Sequence, residues 1–440
     1  MADFIMAAQN GRTIPTEDKI FGISRRANEM KEEQGADAVI NATIGALLDD
    51  DGDLMVLSSV DDTFMGLEPE EYASYAPIGG TPAFREAVIK AAFGKYQPKG
   101  FVEAVASPGG TGAIRNVMAN YSCPGDKVLT SDWHWSPYGT IAAEIGRSID
   151  IYEMFTEDRR YNVRALQAKI EELLAVQDRL VVIINTPAHN PTGYALTVED
   201  WKQVVEVLRN VAPEKCVALL VDAAYIDFAG DEDEQRTFLP VLETLPANVL
   251  PIIAYSASKT YTIYGMRCGA SICLAPTKEI AEEFRRVCEF SARGSWSNCA
   301  KAAQSIIARI FADDALLAKV TAERAEIRGM LLARGKAFEE EAEKAGLTTV
   351  PFDGGFFVSI PCENPDALSA RLEKEGIFLV PLAKGLRVSV ASVSEEKCRL
   401  IPAKIVEAMK AEAEEAAAAA PQQDAANAAN VTSATSAAKA

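Results

Sequence analysis

The sequence predicts an α/β chain in which a mostly parallel central sheet is covered by helices and a smaller α+β unit is attached. Three observations carry this reading. Leu180–Asn185, Val217–Asp222 and Val249–Tyr255 are continuous apolar, β-rich runs rather than alternating ones, as expected of strands covered on both faces. Helix-patterned stretches separate them, and strand–helix–strand repetition favours a parallel sheet with helices on its faces. After about Asn298 the texture shifts to long charged helices and then to short strands.

Taken in order, Phe84–Phe93 spaces its apolar residues helically behind a Gly-Gly-Thr-Pro start. Asp126–Leu129 reads as a short strand and Gly139–Gly146 as a helix. Val198–Val211 is the helix between the first two apolar strands. Ala300–Ala345 reads as one long helical stretch. Val350–Ile360 and Ile377–Val390 read as strands around a helix at Asp366–Lys374. From about Ala411 an Ala/Glu helix gives way after Pro421 to a polar, alanine-rich stretch. Too few apolar residues remain there to offset the entropy of ordering, which predicts a disordered tail over 421–440. The division that follows is an N-terminal segment of the small domain (1–50), a large domain (51–298), and a linking helix with the C-terminal small domain (299–420).

The chain has 440 residues, 48% hydrophobic and 24% charged, which is a globular balance. Its 44 Lys+Arg against 63 Asp+Glu leave a net charge of −19. Such a surface repels phosphate backbones and anionic lipid, so neither nucleic acid nor a membrane is an expected partner. The eight cysteines form no CxxC pair, and the first residues lack a secretory pattern; reduced thiols in the cytoplasm are the expectation. His134 and His189 show no metal-ligand spacing, so no metal is expected.

Polar residues collect at the ends of the three apolar runs. The first ends in Asn185-Thr-Pro-Ala-His-Asn190-Pro-Thr-Gly193 and the second in Asp222, with Tyr225 beyond it. The third ends in Ser256-Ala-Ser258-Lys259, and Arg267 follows. Upstream, Gly109-Gly110-Thr111-Gly112-Ala113 exposes backbone amides suited to a phosphate. Each element has an ordinary reading, as a turn, a helix cap or a solvated loop. Their conjunction is informative, because ligands of open α/β sheets bind outside the carboxyl ends of the strands. A lysine able to form a Schiff base, a carboxylate for a ring nitrogen and a phosphate cup together describe a pyridoxal 5′-phosphate site.

With these motifs the sequence resembles the class I aminotransferases of fold type I, in particular the aspartate and aromatic amino acid branch. The likeness runs from about Asn41 to Ser392 and includes Ile44-Gly45-Ala46, Tyr75-Ala-Pro-Ile-Gly79 and Arg387-Val-Ser-Val-Ala391. It implies that Lys259 is the Schiff-base lysine and proton carrier, and that Asp222 keeps the pyridine nitrogen protonated. Tyr225 and Asn190 match the groups that bond the cofactor's 3′ oxygen. Trp135, chosen over Trp133 by its spacing to Gly146, matches the ring stacked on the pyridine. Gly110, Thr111, Ser256, Ser258 and Arg267 match the phosphate cup. Gly45, Asn190 and Arg387 match substrate-binding positions, with Arg387 on the α-carboxylate. Tyr75 matches a tyrosine that reaches the neighbouring subunit's phosphate, which implies a homodimer. Where many relatives have a histidine, this chain has Tyr138.

The implied reaction is ping-pong transfer of an amino group between an L-amino acid and a 2-oxo acid. An aspartate aminotransferase and a pyridoxal phosphate lyase on the same scaffold are the alternatives. A ligand-sensing module is disfavoured by the net charge of −19 and by the lack of a basic helix-turn-helix before Asn41. Dicarboxylate-specific relatives place an arginine near the start of the linking helix, and ungapped alignment puts Ser305 there. This predicts a preference for aromatic or other apolar amino acids, with Lys301 one helical turn away as a substitute cation.

Overall fold

Seven strands build the central sheet, and one alone runs against the rest. The computed structural model describes residues 6–8 and 12–436, with side chains through Glu415. The chain enters through α1 (Lys19–Gln34), capped by the Asp18 carboxylate on the Ile20 and Phe21 amides. After the two-residue strand β1 (Ile40–Asn41) come α2 (Ser58–Met65) and α3 (Pro69–Ala73). Next is α4 (Pro82–Phe93), where Thr81 caps, Pro82 fixes φ in the first turn and Gly94 ends the helix.

The sheet strands follow in sequence as β2 (Phe101–Ser107), β3 (Lys127–Ser131), β4 (Ser148–Tyr152), β5 (Arg179–Asn185), β6 (Cys216–Asp222), β7 (Val249–Ser256) and β8 (Gly269–Ala275). Their spatial order is β2-β8-β7-β6-β5-β3-β4, and only β8 is antiparallel to its neighbours. The connecting helices are α5 (Gly109–Tyr121), α6 (Pro137–Glu144), α7 (Val163–Leu174), α8 (Val198–Arg209), α9 (Leu239–Leu242) and the single turn α10 (Ala257–Thr260), which joins the antiparallel neighbours β7 and β8. Along β5, Leu180, Val182 and Ile184 enter one core, and Val181 and Ile183 enter the core on the other face. Each such side chain contributes about 1.5–3 kcal/mol by leaving water. Both faces of β5 are therefore apolar, and its polar residues fall at its ends.

Beyond α11 (Lys278–Ser295) lie α12 (Lys301–Ala312) and α13 (Asp314–Ala345). These are two helices rather than the single one read from 300–345. Asp313 is extended (φ −128, ψ 107), and its carboxylate caps the Ala315 and Leu316 amides, so it starts a new helix. The strand expected over 350–360 shortens to β9 (Phe357–Pro361), since Gly354 and Gly355 turn the chain at positive φ (152 and 91). Then come α14 (Pro365–Lys374), β10 (Ile377–Phe378), β11 (Val380–Leu382) and β12 (Gly385–Ser389). The antiparallel sheet β11-β12-β9 packs here, and β10 pairs in parallel with β1 from the opposite end of the chain.

The last helix, α15 (Glu395–Ser436), runs as backbone through the segment for which composition predicts disorder. The last four residues lie outside the described ones. No helix among the described residues is long and apolar enough to cross a membrane.

Candidate active site

Because β2, β5, β6 and β7 are parallel, their carboxyl ends share one edge, and the reversed β8 begins there. The register sets Asn185 opposite Asp222, and places Ser107 and Ser256 on either side of Gly269. A cavity opens at this edge. Gly110, Thr111, Trp135, Asn190, Asp222, Tyr225, Ser256, Lys259 and Arg267 all line it, joined by Ile114, Asn185 and Ala224. Of the two candidate tryptophans, Trp135 faces the cavity, whereas Trp133 is buried in the core.

Asp222 is buried at the end of β6. Its Oδ2 accepts from the Tyr138 hydroxyl at 2.5 Å and its Oδ1 from the Ala224 amide at 3.3 Å. Burial pushes this carboxyl above its ordinary range, opposed by the Tyr138 bond and by the Lys259 charge. Tyr138 comes from α6, where its ring meets Trp135 edge-on at 5.4 Å. Asn185 ties the two strand ends together. Its amide donates to the Asp222 carbonyl at 2.9 Å, and its Oδ1 accepts from the Asn190 amide at 2.6 Å. Asn190 donates to the Tyr225 hydroxyl at 3.4 Å.

Lys259 projects from α10, with Nζ 5.4 Å from the centroid of the Tyr225 ring. Burial pushes its amine down to about 8, with Asp222 pulling the other way and Arg267 adding to the depression. A buried amine half-neutral near pH 8 is a nucleophile and a proton carrier at physiological pH.

The opposite end of the cavity is built for an anion. α5 starts at Gly109, so the Gly110 and Thr111 amides lie in its unpaired first turn. Gly109 has φ +72, and a Cβ there would lie 2.5 Å from Arg267 Nη2, so glycine lets the guanidinium come close. Arg267 also donates to Ser258 Oγ at 3.1 Å. Ser258 thus holds the arginine, although it does not itself line the cavity.

Arg387, on β12, is buried next to these groups. It donates to the Thr43 carbonyl at 2.8 Å and to Asn190 Oδ1 at 3.3 Å, while its Nε has no partner. Its guanidinium lies 4.4 Å from the centroid of the Phe357 ring, and burial pushes its pKa down to about 10. A buried cation bonded only to neutral oxygens calls for an anionic ligand. Gly45 belongs to the same corner, since a Cβ there would lie 3.0 Å from Phe357 Cζ.

Two expected residues lie elsewhere. Tyr75 is 90% exposed and does not line the cavity of its own protomer. Ser305 donates to the Glu71 carbonyl at 2.9 Å, so its hydroxyl is committed to α3. Lys301 likewise donates to the Glu70 carbonyl and Ser74 Oγ, and Arg309 pairs with Glu71. This face of α12 braces α3. Asn185 and Phe357 were not singled out from sequence. Asn185 was visible only as another polar residue at a strand end, and Phe357 as one more apolar strand residue.

The residues fit pyridoxal 5′-phosphate. Asp222 is a buried carboxylate with hydroxyl and amide donors but no bonded cation, the Gly110 and Thr111 amides are unpaired beside Arg267, and an amine stands between the two ends. Fold and site together define a pyridoxal phosphate-dependent enzyme of the α/β, fold type I class. The chain belongs to the aminotransferase class I and II family, whose model matches residues 37–405. It is 28% identical to the aspartate aminotransferase of Salmonella typhi over 369 residues, which is 81% of this chain and 90% of that protein. An aminotransferase from Anaerococcus prevotii superposes with a TM-score of 0.89 at 39% identity, covering 92% of this chain and 99% of that one. The aromatic-amino-acid aminotransferase of Burkholderia pseudomallei, solved covalently bound to pyridoxal phosphate, shares the fold with a TM-score of 0.75. It is 24% identical, with 92% and 100% of the two chains covered. The protein is an aminotransferase acting on amino acids and 2-oxo acids.

Proposed function

We propose that Lys259, Asp222, Tyr225 and Arg387 carry the amino-group transfer, and that the enzyme works as a homodimer in the cytoplasm. The observation that most supports this is the depressed Lys259 amine standing in one cavity with a buried carboxylate and an amide cup. When bound, pyridoxal phosphate supplies the carbon that takes the amino group and a ring that holds the electron pair freed at the substrate α-carbon. Lys259 takes the proton from the α-carbon and returns it on the cofactor side, which its depressed pKa permits. Asp222, held by Tyr138, keeps a proton at the ring nitrogen. Tyr225 and Asn190 hydrogen-bond the ring's phenolic oxygen, and Trp135 packs on its face. Gly110, Thr111, Ser256 and Arg267 hold the phosphate, and Ser258 holds Arg267 in place.

Arg387 grips the α-carboxylate with Asn190 beside it, and Gly45 leaves room for that carboxylate. These contacts are common to all α-amino acids, so they select the class and not the side chain. The domain reading (1–50 with 299–420 as the small unit, 51–298 as the large one) is supported by the pairing of β1 with β10. Dimerisation is supported by the exposure of Tyr75, Met65 and Tyr72 on and beside α2 and α3, at 90%, 76% and 52%. The cytoplasm is supported by eight free thiols. The test is keto acid formation from a panel of amino acids with and without an acceptor 2-oxo acid. A transaminase turns over only with the acceptor, and sustained turnover without it would make the chain a lyase.

A further inference from the structure

A second cluster of buried charges lies behind Lys259, outside the cavity. Asp227 follows Asp222 and Tyr225 on the same segment. Asp227, Thr260, Arg236 and Arg324 are each 5% exposed or less. Asp227 Oδ2 accepts from the Thr260 hydroxyl at 2.7 Å, and its Oδ1 accepts from Arg236 Nη2 at 2.6 Å. Arg236 also donates to the Ala91 and Ala92 carbonyls at the end of α4, at 2.9 and 3.1 Å. From α13, Arg324 brings Nη1 to 4.0 Å from Asp227 Oδ2, and its guanidinium lies 5.8 Å from the centroid of the Tyr261 ring. Arg328 donates to the Asp227 carbonyl at 3.5 Å. One carboxylate thus joins α4, α13 and the turn that bears Lys259.

Lys259 sits on α10, a four-residue turn that the Tyr261 amide closes onto the Ala257 carbonyl at 3.2 Å. A lone helical turn has an unfavourable nucleus and keeps its shape only through tertiary tethers. Its front is tied by the Ala257 amide to the Cys268 carbonyl at 3.0 Å, and its back by Thr260 to Asp227. The lysine lies between the ties, and its long side chain amplifies any rotation of the turn. A buried ion pair is in itself a weak source of stability. We propose that Asp227 is a positioning residue for Lys259, acting through the Thr260 hydroxyl and held in place by Arg236 and Arg324. The proposal rests on Lys259 being the amine that reacts with the cofactor.

The test separates binding from positioning. Pyridoxine 5′-phosphate carries the same ring and phosphate but an alcohol in place of the aldehyde, so its affinity reports on the cup alone. With pyridoxal phosphate, the neutral Lys259 nitrogen bonds the aldehyde carbon, and the aldehyde oxygen leaves as water with both amine protons. The rate of this capture by the cofactor-free full chain is followed by absorbance and by borohydride reduction of the imine at position 259 to a stable secondary amine. Thr260→Val removes the hydroxyl and leaves the Asp227–Arg236 pair intact. It is expected to slow capture at least tenfold with pyridoxine phosphate affinity changed less than twofold, and Thr260→Ser is expected to restore the rate. Capture by Thr260→Val at the parental rate, an equal loss of pyridoxine phosphate affinity, or no recovery in Thr260→Ser would each overturn the proposal. Lys259→Ala is run alongside. If it captures the cofactor as the parent does, the reading of Lys259 is what fails.

Discussion

Tyr138→Phe tests the electrostatics of the site with a single atom removed. The ring stays, with its edge-on contact to Trp135, but Asp222 Oδ2 loses the donor at 2.5 Å. A buried hydrogen bond to a charged group contributes about 1.5–3 kcal/mol, and a neutral one about 0.5–1.5 kcal/mol. The loss therefore depends on the protonation state of Asp222. Burial already raises the Asp222 pKa in the folded chain, so between the unfolded value and the raised one the folded state holds a proton that the unfolded chain has released. Stability from this group is present at acid pH and is lost as pH climbs through the raised value. The mutation raises that value further, so its cost grows with pH. In the cofactor-free protein it is expected to reach about 1.5–3 kcal/mol at pH 8 and about half that at pH 4–5. With a urea m-value of about 3 kcal/mol/M, the midpoint at pH 8 falls by roughly 0.5–1 M. Urea unfolding of both proteins at several pH values measures this. A difference that stays constant with pH would refute the assignment of an ionised Asp222 held by Tyr138.

Four further outcomes follow from the same geometry. Capture of pyridoxal phosphate by the cofactor-free chain should accelerate with pH and level off above about 8, the value to which burial pushes Lys259; a flat profile from pH 6 to 9 contradicts it. Arg387→Lys keeps the charge but loses the planar fork, so KM for every amino acid and 2-oxo acid should rise roughly ten- to a hundred-fold, and a change confined to one substrate would speak against an α-carboxylate site. Mixing Lys259→Ala with Tyr75→Phe chains should yield hybrids with one intact site and activity above the sum of the parents, whereas additive activity despite proven subunit exchange excludes sharing. Ser305→Ala should leave the ranking of phenylalanine, tyrosine, methionine, leucine and aspartate unchanged, because its hydroxyl is spent on the Glu71 carbonyl; a reordered panel would return Ser305 to the substrate.

Much of the site was legible because a sheet buried on both faces pushes polar residues to its strand ends. Asn190, Asp222, Ser256 and Lys259 follow such runs, and parallel strand direction suffices to bring them together. The Tyr138–Asp222 bond spans 84 residues, and no local pattern encodes which hydroxyl on α6 turns inward. Arg387 could be assigned only through resemblance, since a short amphipathic strand does not reveal which face meets the large unit. For Ser305 the sequence was silent on a related point. Alignment fixes its position along α12 but not the direction of its hydroxyl, and that face is taken by α3. The break at Asp313 lies in a run that reads as helical on both sides, and only the extended backbone of Asp313 reveals the new cap.

The charge distribution shows why a protein of net charge −19 still takes a phosphate and a carboxylate. Lys259 and Arg267 line the cavity with Arg387 beside them, against the single carboxylate of Asp222 among the lining residues. At the site an anion meets these cations at contact, where a pair about 4 Å apart is worth on the order of 4 kcal/mol at an effective dielectric near 20. Surface carboxylates act from farther away through water, and beyond about 8 Å physiological salt screens them. The local field therefore governs small anions that fit the cavity. A polyanion or an anionic membrane cannot enter it and meets only the acidic exterior. On the proposed roles of Arg267 and Arg387, the surplus of surface carboxylates leaves recognition of a phosphate and an α-carboxylate untouched, because that recognition would be decided within one contact distance of the two guanidinium groups.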